Sequence, residues 1–512
     1  MFVVAFAALL APMLLWALAS PLMSVPDEPS HAIRAAAVVR GQIASIPWEK
    51  NPALTRADVP KYVAHAHELT CYAFRPDISA GCMRPVQGNP IETVTTGTSA
   101  GLNSPVYYAL VGLPTLVIQG TPALYAMRGV NAVLCAAALA IMIMQLLQLP
   151  RSRWVLLTTF VSVTPMVLYL GGSMNPNGLE IAAAGALFAT LVVTARTRAS
   201  RRILWERAAL VAVSAGLLMS TRSIALLWVL IIIGVALLFA DRRVVLDLLR
   251  SSAAWVAIAV SAIAGALTVL WYLTPSTFAE QPNAGVGTTP TVEFFTMFFR
   301  TLDFSDGLVG FFGWVDTPSP AFSVIVWSFA VVGALVAAVA WGSRRGRLAV
   351  LVLALVMVLV PALTQTILIS TVGNIWQGRY MLAMFVCLMV VAGLAIDDSD
   401  QAPTVSIQLR RFTIAALVLV STGQVFSFVS TLRRYVVSVN GDIEALFNTP
   451  QWQPPLGWIA LMVLLALSVA AAAVLTYREA MNAEHRLEME RPHIGSPIPA
   501  TSEPLNGSKA SR

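Results

Sequence analysis

The chain has 512 residues, of which 57% are hydrophobic and only 12% charged, about half the charged share of an ordinary soluble domain. Its apolar residues come in continuous blocks of about twenty, the length a helix needs to cross a bilayer. That excludes a soluble domain, and the lack of alternation argues against a β-barrel. The net charge of +7 is scattered in short clusters between the blocks, so there is no basic domain to lie along a nucleic acid.

The fold class expected is therefore an all-α polytopic membrane protein of about twelve spans, because helices satisfy their own backbone in lipid. The first block, Phe2 to Ser20, has no basic residue before it and exceeds the usual signal-peptide core. It reads as an uncleaved first span. The expected spans are 2–23, 123–147, 154–171, 178–195, 207–219, 223–240, 252–273, 321–342, 348–369, 381–396, 412–432 and 457–476, the fifth being short. Of the 33 Lys and Arg, 20 fall in the loops around 151–153, 196–207, 242–250, 344–347 and 410–411 and in the C-terminal tail. The positive-inside bias sets these in the cytoplasm together with both termini.

Loop 24–103 then lies outside. Its seven basic and seven acidic residues nearly cancel, and long loops translocate largely regardless of charge. The outer region is expected to run over 24–122. Its stretch 104–120, interrupted by Pro105 and Pro114, reads as a juxtamembrane or re-entrant helix. Spans fill 123–273 and 321–476. Segment 274–320, rich in aromatics (Phe294, Phe295, Phe298, Phe299, Phe311, Phe312, Trp314) and holding Asp303 and Asp306, reads as interfacial. The tail 477–512, polar and Pro/Ser-rich from Glu484, reads as disordered. Cys71 and Cys82 form a disulfide if their loop meets an oxidising compartment, and are otherwise two free thiols.

Pro26-Asp27-Glu28-Pro29-Ser30-His31 stands where the first span ends. Two adjacent carboxylates there suit acid–base work, whereas on the bland reading they cap the helix that follows. His31 and Arg34, three apart, would share a helix face. Arg222 interrupts an apolar stretch and should face a cavity or an outer turn, since a charge at mid-bilayer costs about 2.5–3.5 kcal/mol. Glu180 opens a span, as a site residue or as a helix-dipole partner. Gln377-Gly378-Arg379-Tyr380 begins the tenth span. Its arginine fork suits phosphate, or else serves as an interfacial anchor beside the tyrosine. No P-loop, Gly-rich nucleotide fingerprint or structural-zinc spacing occurs. His65 and His67 alternate in the outer loop, but two such ligands do not make a metal site.

Pro26–His31, Asn103-Ser104-Pro105-Val106-Tyr107-Tyr108, Arg128 with Asn131, Asn175-Pro176-Asn177 and Gln377–Tyr380 occur in this order. Together they resemble the bacterial membrane family of domain of unknown function 2142, over about residues 20–440. That family is in turn similar to the GT-C superfamily of membrane glycosyltransferases. The resemblance implies a large first outer loop carrying an Asp or Asp-Glu catalytic pair, here Asp27 and Glu28. It implies a sugar donor on polyprenyl phosphate or pyrophosphate, and transfer on the outer face, usually with inversion. His31 stands where related transferases often have Tyr, and Asn103-Ser104-Pro105 departs from the commoner basic-Pro-Pro form.

The function expected is transfer of a lipid-linked sugar to an envelope glycan, lipid or protein. Asp27 and Glu28 would be catalytic, and His31, Arg34, Arg222, Arg379 and Tyr380 would bind the donor phosphate or substrate. Beyond these and the surrounding membrane lipids no partner is implied, and a divalent metal on Asp27 or Glu28 is the one cofactor to consider. The rival classes are a lipid-linked-sugar flippase or polymer exporter, and a structural protein of envelope assembly. A transporter should hold ionisable residues near mid-membrane, where this reading finds none besides Glu180 and Arg222, both placed near the outer boundary.

Overall fold

In the computed structural model, residues 1–86, 92–273, 288–301, 307–373, 376–401 and 406–490 are described. Nine of their helices are long and apolar enough to cross a membrane. They are Phe2–Ala19, Gly120–Leu146, Pro176–Arg196, Ser252–Leu273, Ala321–Trp341, Arg344–Ser370, Gly378–Asp397, Ile407–Val437 and Trp458–Ala483. Arg153–Ser162 and Pro165–Gly171 make a tenth only if counted as one span bent by 66°. The protein is thus a multi-pass helical membrane protein.

The expected twelve spans all fall on helices, but fewer qualify as full spans. Arg201–Met219 begins with Arg201, Arg202, Glu206 and Arg207, which keep its first turns polar. Ala225–Leu238 has 14 residues and reaches about 21 Å, short of a roughly 30 Å hydrocarbon core. The last helix continues to Glu490, past the expected boundary at 476, and the tail beyond it lies outside the described residues.

Two helices form the centre, Gly378–Asp397 and Pro176–Arg196, 94% and 83% buried over their most apolar windows. Gly120–Leu146 packs against Pro176–Arg196, and Phe2–Ala19 packs against Gly120–Leu146. At one end of the bundle the basic loops gather. There Arg196 pairs with Asp398 (2.5 Å), Arg151 with Asp400 (3.5 Å), and Arg207 donates to Gln148 (2.8 Å). Asp397 accepts from the amides of Trp154 and Val155, so it fills N-terminal donors of helix Arg153–Ser162.

The opposite end carries the N-terminal loop, which is not wholly helical. Pro47–Trp48, Asn51–Pro60 and Thr93–Thr98 form a three-stranded antiparallel sheet with Thr55 opposite Thr98 and Pro60 opposite Thr93. The sheet is fastened to helix Glu28–Val38, where Thr98 Oγ1 donates to the Ser30 carbonyl (2.7 Å) and Ser99 Oγ to Ser30 Oγ (3.0 Å). Cys71 and Cys82 are disulfide-bonded. Buried Arg434 holds that loop by donating to the carbonyls of Tyr72 and Ile78, and it pairs with Asp316 at 3.1 Å.

Between 104 and 120 the chain forms the seven-residue helix Pro105–Val111 and a 3-10 turn, Leu113–Leu116. Neither is long enough to cross. In the aromatic segment, Pro290–Thr301 is a helix, but Phe311–Phe312 and Thr317–Pro318 pair as a hairpin with Phe312 fully buried. Trp314 Nε1 of the hairpin donates to the Met23 carbonyl (3.0 Å). Asp303 and Asp306 lie outside the described residues.

Candidate active site

The site is built where the first helix ends. Arg128, in the third turn of its helix and fully buried, places all five N–H donors. It reaches the carbonyls of Ala17 (2.8 Å), Ser20 (2.7 Å) and Pro21 (2.7 Å) and both oxygens of Glu28 (2.7 Å each). Glu28, also fully buried, accepts in addition from the Met174 amide (3.1 Å) and the Val25 amide (3.4 Å). A buried ion pair is sustained only when its remaining donors and acceptors are filled, and here they are. Beside this node, a Cβ at Gly172 would lie 2.3 Å from the Met13 carbonyl, so glycine lets this turn press against the first helix.

The two carboxylates read as a pair in the sequence are thus separated by environment. Glu28 faces inward and is fully engaged. Asp27 faces outward, with 55% of its side chain exposed. Asp27 sits at the N-cap position in the left-handed region (φ 65°), and its carboxylate makes no cap bond. That conformation costs an L-residue about 1–2 kcal/mol, and Asp tolerates it better than most. Asn175 Nδ2 donates to the Pro26 carbonyl (3.2 Å), steadying the same loop.

Asp27 Oδ2 lies 3.6 Å from Arg379 Nη2. Arg379 is 3% exposed, and among the described residues its Nε and Nη1 have no partner. The turn that carries it, Gly378–Met381, is braced by Gly307, whose φ of +99° and 2.8 Å Cβ approach to the Arg379 nitrogen admit only glycine. Tyr380 lies between two cations, with Arg222 3.9 Å and Arg379 5.4 Å from its ring centre. Arg222 also donates to Asn177 Oδ1 (3.3 Å) and lies 3.9 Å from Glu180, which accepts from Trp228 Nε1 (2.8 Å).

His31 completes the cluster. Its Nδ1 is 2.9 Å from the Tyr108 hydroxyl, and the two rings stack. Burial pushes the imidazole down to about 4; Asp27 raises it, Arg379 lowers it, and Glu28 and Arg222 add smaller opposed effects. His31 is therefore neutral near pH 7. Arg34 is not brought to Asp27: its guanidinium is taken up by the carbonyls of Gln42 (3.2 Å) and Ile43 (2.9 Å) and lies 6.0 Å from the Trp271 ring centre.

The structure thus gathers Asp27, His31, Arg222, Arg379 and Tyr380, with Glu28 behind them and Arg34 turned aside. It adds Arg128, Asn103, Tyr108, Asn175 and Asn177. Arg128 had a signal, because a charge inside an apolar helix is conspicuous. It corrects the view that the spans lack ionisable groups apart from Glu180 and Arg222. With every donor paired it is a clamp, with no free charge for a translocation path.

Among the described residues no group of three His, Cys, Asp or Glu side chains is placed to hold a metal. With Glu28 engaged, Asp27 is, among the described residues, the one site carboxylate open to a ligand. Near Gly378, a small cavity is lined by Met297, Leu308, Met357, Trp376 and Met381 among others. An apolar groove runs along Met1 to Pro12, toward the other end of the first helix from Asp27.

Two crystal structures of ArnT from Cupriavidus metallidurans are similar in fold, each at 12% identity. The one bound to undecaprenyl phosphate covers 95% of this chain and 77% of that one with a TM-score of 0.46. The apo state covers 94% and 77% with a TM-score of 0.48. No curated protein matches the sequence. The family model described as a predicted membrane protein, DUF2142, matches residues 10–388, and the chain belongs to that family.

Proposed function

We propose that this protein is a GT-C-like glycosyltransferase that moves a sugar from a polyprenyl-phosphate-linked donor to a hydroxyl of an envelope glycan, lipid or protein. The observation that carries this reading is the pairing of an exposed carboxylate, Asp27, with the buried Arg379, two of whose N–H-bearing nitrogens have no partner among the described residues. An unpartnered buried guanidinium is costly, and a phosphate oxygen supplies the missing acceptors in the geometry arginine favours.

In this mechanism Asp27 takes the proton of the acceptor hydroxyl as its oxygen attacks the anomeric carbon. The bond from that carbon to the phosphate oxygen breaks, and the lipid phosphate leaves with the electron pair. A positioned base contributes about 10²–10⁴-fold. Arg379, supported by Arg222 across Tyr380, stabilises the charge gathering on the leaving phosphate. Glu28 acts through Arg128 as a positioning residue, His31 contacts substrate, and Arg34 holds the turn at 42–43. The donor arrives activated, so no nucleotide is needed.

The site end of the bundle, with 24–122 and 274–320, then faces the outside of the cell membrane. The basic end, both termini and the tail from 477 face the cytoplasm. The test is purified protein in liposomes given radiolabelled polyprenyl-phosphate sugars and an envelope acceptor fraction. Label moving to the acceptor supports transfer; donor crossing between leaflets without transfer makes the protein a flippase.

A further inference from the structure

Asn103, Tyr108 and His31 form a hydrogen-bonded row beside Asp27, and the transfer chemistry leaves the first two without a role. Tyr108 is 1% exposed and stands between Asn103 and His31. Its oxygen accepts from Asn103 Nδ2 at 2.9 Å and lies 2.9 Å from His31 Nδ1. The Tyr108 and His31 rings stack at 5.9 Å between centres, inclined by 26°. A phenol has one proton to donate. Asn103 supplies a donor to the oxygen, and among the described residues His31 Nδ1 is the acceptor in contact, so the hydroxyl proton points to Nδ1.

A neutral imidazole that accepts at Nδ1 carries its proton on Nε2. Nε2 sits on the far edge of the ring from Nδ1 and makes no hydrogen bond to the described residues. We propose that Asn103 and Tyr108 are positioning residues that lock His31 in the Nε2–H tautomer, so that it presents a neutral hydrogen-bond donor to a substrate oxygen bound beside Asp27. This rests on the reading of Asp27 and Arg379 as the active site.

The charged and titratable groups around the ring are Asp27 and Glu28 from its own segment, Arg379 and Arg222 from the facing turns, and Tyr108. Burial is the largest influence among them, and it keeps the ring neutral. Neutrality matters to the chemistry. An imidazolium here would pair with Asp27 and compete for the carboxylate that is to receive the acceptor's proton. A neutral N–H holds a sugar hydroxyl or phosphate oxygen and leaves the carboxylate free.

The tautomer can be read without turnover. Protein labelled with ¹⁵N-histidine, in lipid nanodiscs, is recorded by NMR between about pH 5 and 8, and the signal lost in His31→Gln identifies His31. The proposal expects one tautomer protonated at Nε2 across this range. Tyr108→Phe removes the donor and should release a mixture of the two tautomers, while Asn103→Ala should weaken the preference and leave Nε2–H in excess. An Nδ1–H ring in the unaltered protein, titration near the ordinary histidine value, or an unchanged Nε2–H ring in Tyr108→Phe would each overturn it. Monodisperse elution of each variant keeps misfolding apart from these outcomes. Because no sugar transfer is measured, an inactive protein with the Nε2–H ring would count against the transferase reading alone.

Discussion

Arg128 meets both oxygens of Glu28 at 2.7 Å, across one hundred residues of chain, with neither side chain exposed to solvent. Arg128 thereby joins the end of the first helix to the start of the next, and it engages Glu28 while the adjacent Asp27 stays exposed. Removing one partner leaves a buried charge without compensation, at a cost of roughly 3–5 kcal/mol. Glu28→Gln should therefore lower the thermal midpoint in detergent markedly, and Glu28→Gln with Arg128→Met should recover part of the loss. A Glu28→Gln protein as stable as the original would remove Glu28 from the clamp.

For the proposed phosphate site, Arg379→Ala should reduce turnover by about 10²-fold or more, as loss of a preorganised charge donor does. Arg379→Lys should retain some turnover, because lysine keeps the charge and loses the fork. Steady-state kinetics against donor concentration checks both. Full donor affinity and turnover in both variants would make Arg379 an interfacial anchor.

The lowered His31 value has a stability consequence whose sign is fixed. The folded protein binds this proton less readily than the unfolded chain, with about 4 against 6.5. Its neutral burial is therefore undisturbed above about pH 6.5, and stability falls as pH drops from there toward 4. The loss is of order 3 kcal/mol over that window. The thermal midpoint of the unaltered protein should fall more steeply below pH 6.5 than that of His31→Gln. Equal slopes would contradict the burial.

Orientation is tested by labelling intact cells with an impermeant thiol reagent. A cysteine at exposed Ala44 should react and one at exposed Ser200 should not. Reaction at Ser200 alone would invert the proposed topology.

Asp27, Arg222, Arg379 and Tyr380 could be found in the sequence because polar residues stand out against apolar blocks. Their convergence could not, since it depends on turns brought together from 20–28, 175–177, 222 and 377–381. Asp27 and Glu28 are indistinguishable as neighbours in a sequence. Only the inward position of Arg128 separates them, together with a left-handed Asp27 that points its carboxylate out. Tyr108 sits in an apolar stretch and looks like packing, so its contact with His31 carried no signal. Aromatic density could not distinguish the helix at 290–301 from the hairpin at 311–318, because interfaces and packed sites both favour large rings. The expected twelve spans are not matched by full-length apolar helices where a helix is apolar yet short, as at 225–238, or charged at one end, as at 201–219.

The most direct test of the catalytic assignment is Asp27→Asn beside the unaltered protein, reconstituted in liposomes holding a lipid-linked sugar donor, with and without chelator. Asparagine keeps the shape, tolerates the left-handed backbone, and replaces a carboxylate that makes no cap bond, so folding and detergent stability should be unchanged. Turnover should fall by about 10²–10⁴-fold, the range expected for loss of a general base, and chelator should have little effect on the unaltered protein. Full transfer activity in Asp27→Asn would contradict the assignment of Asp27 as the base.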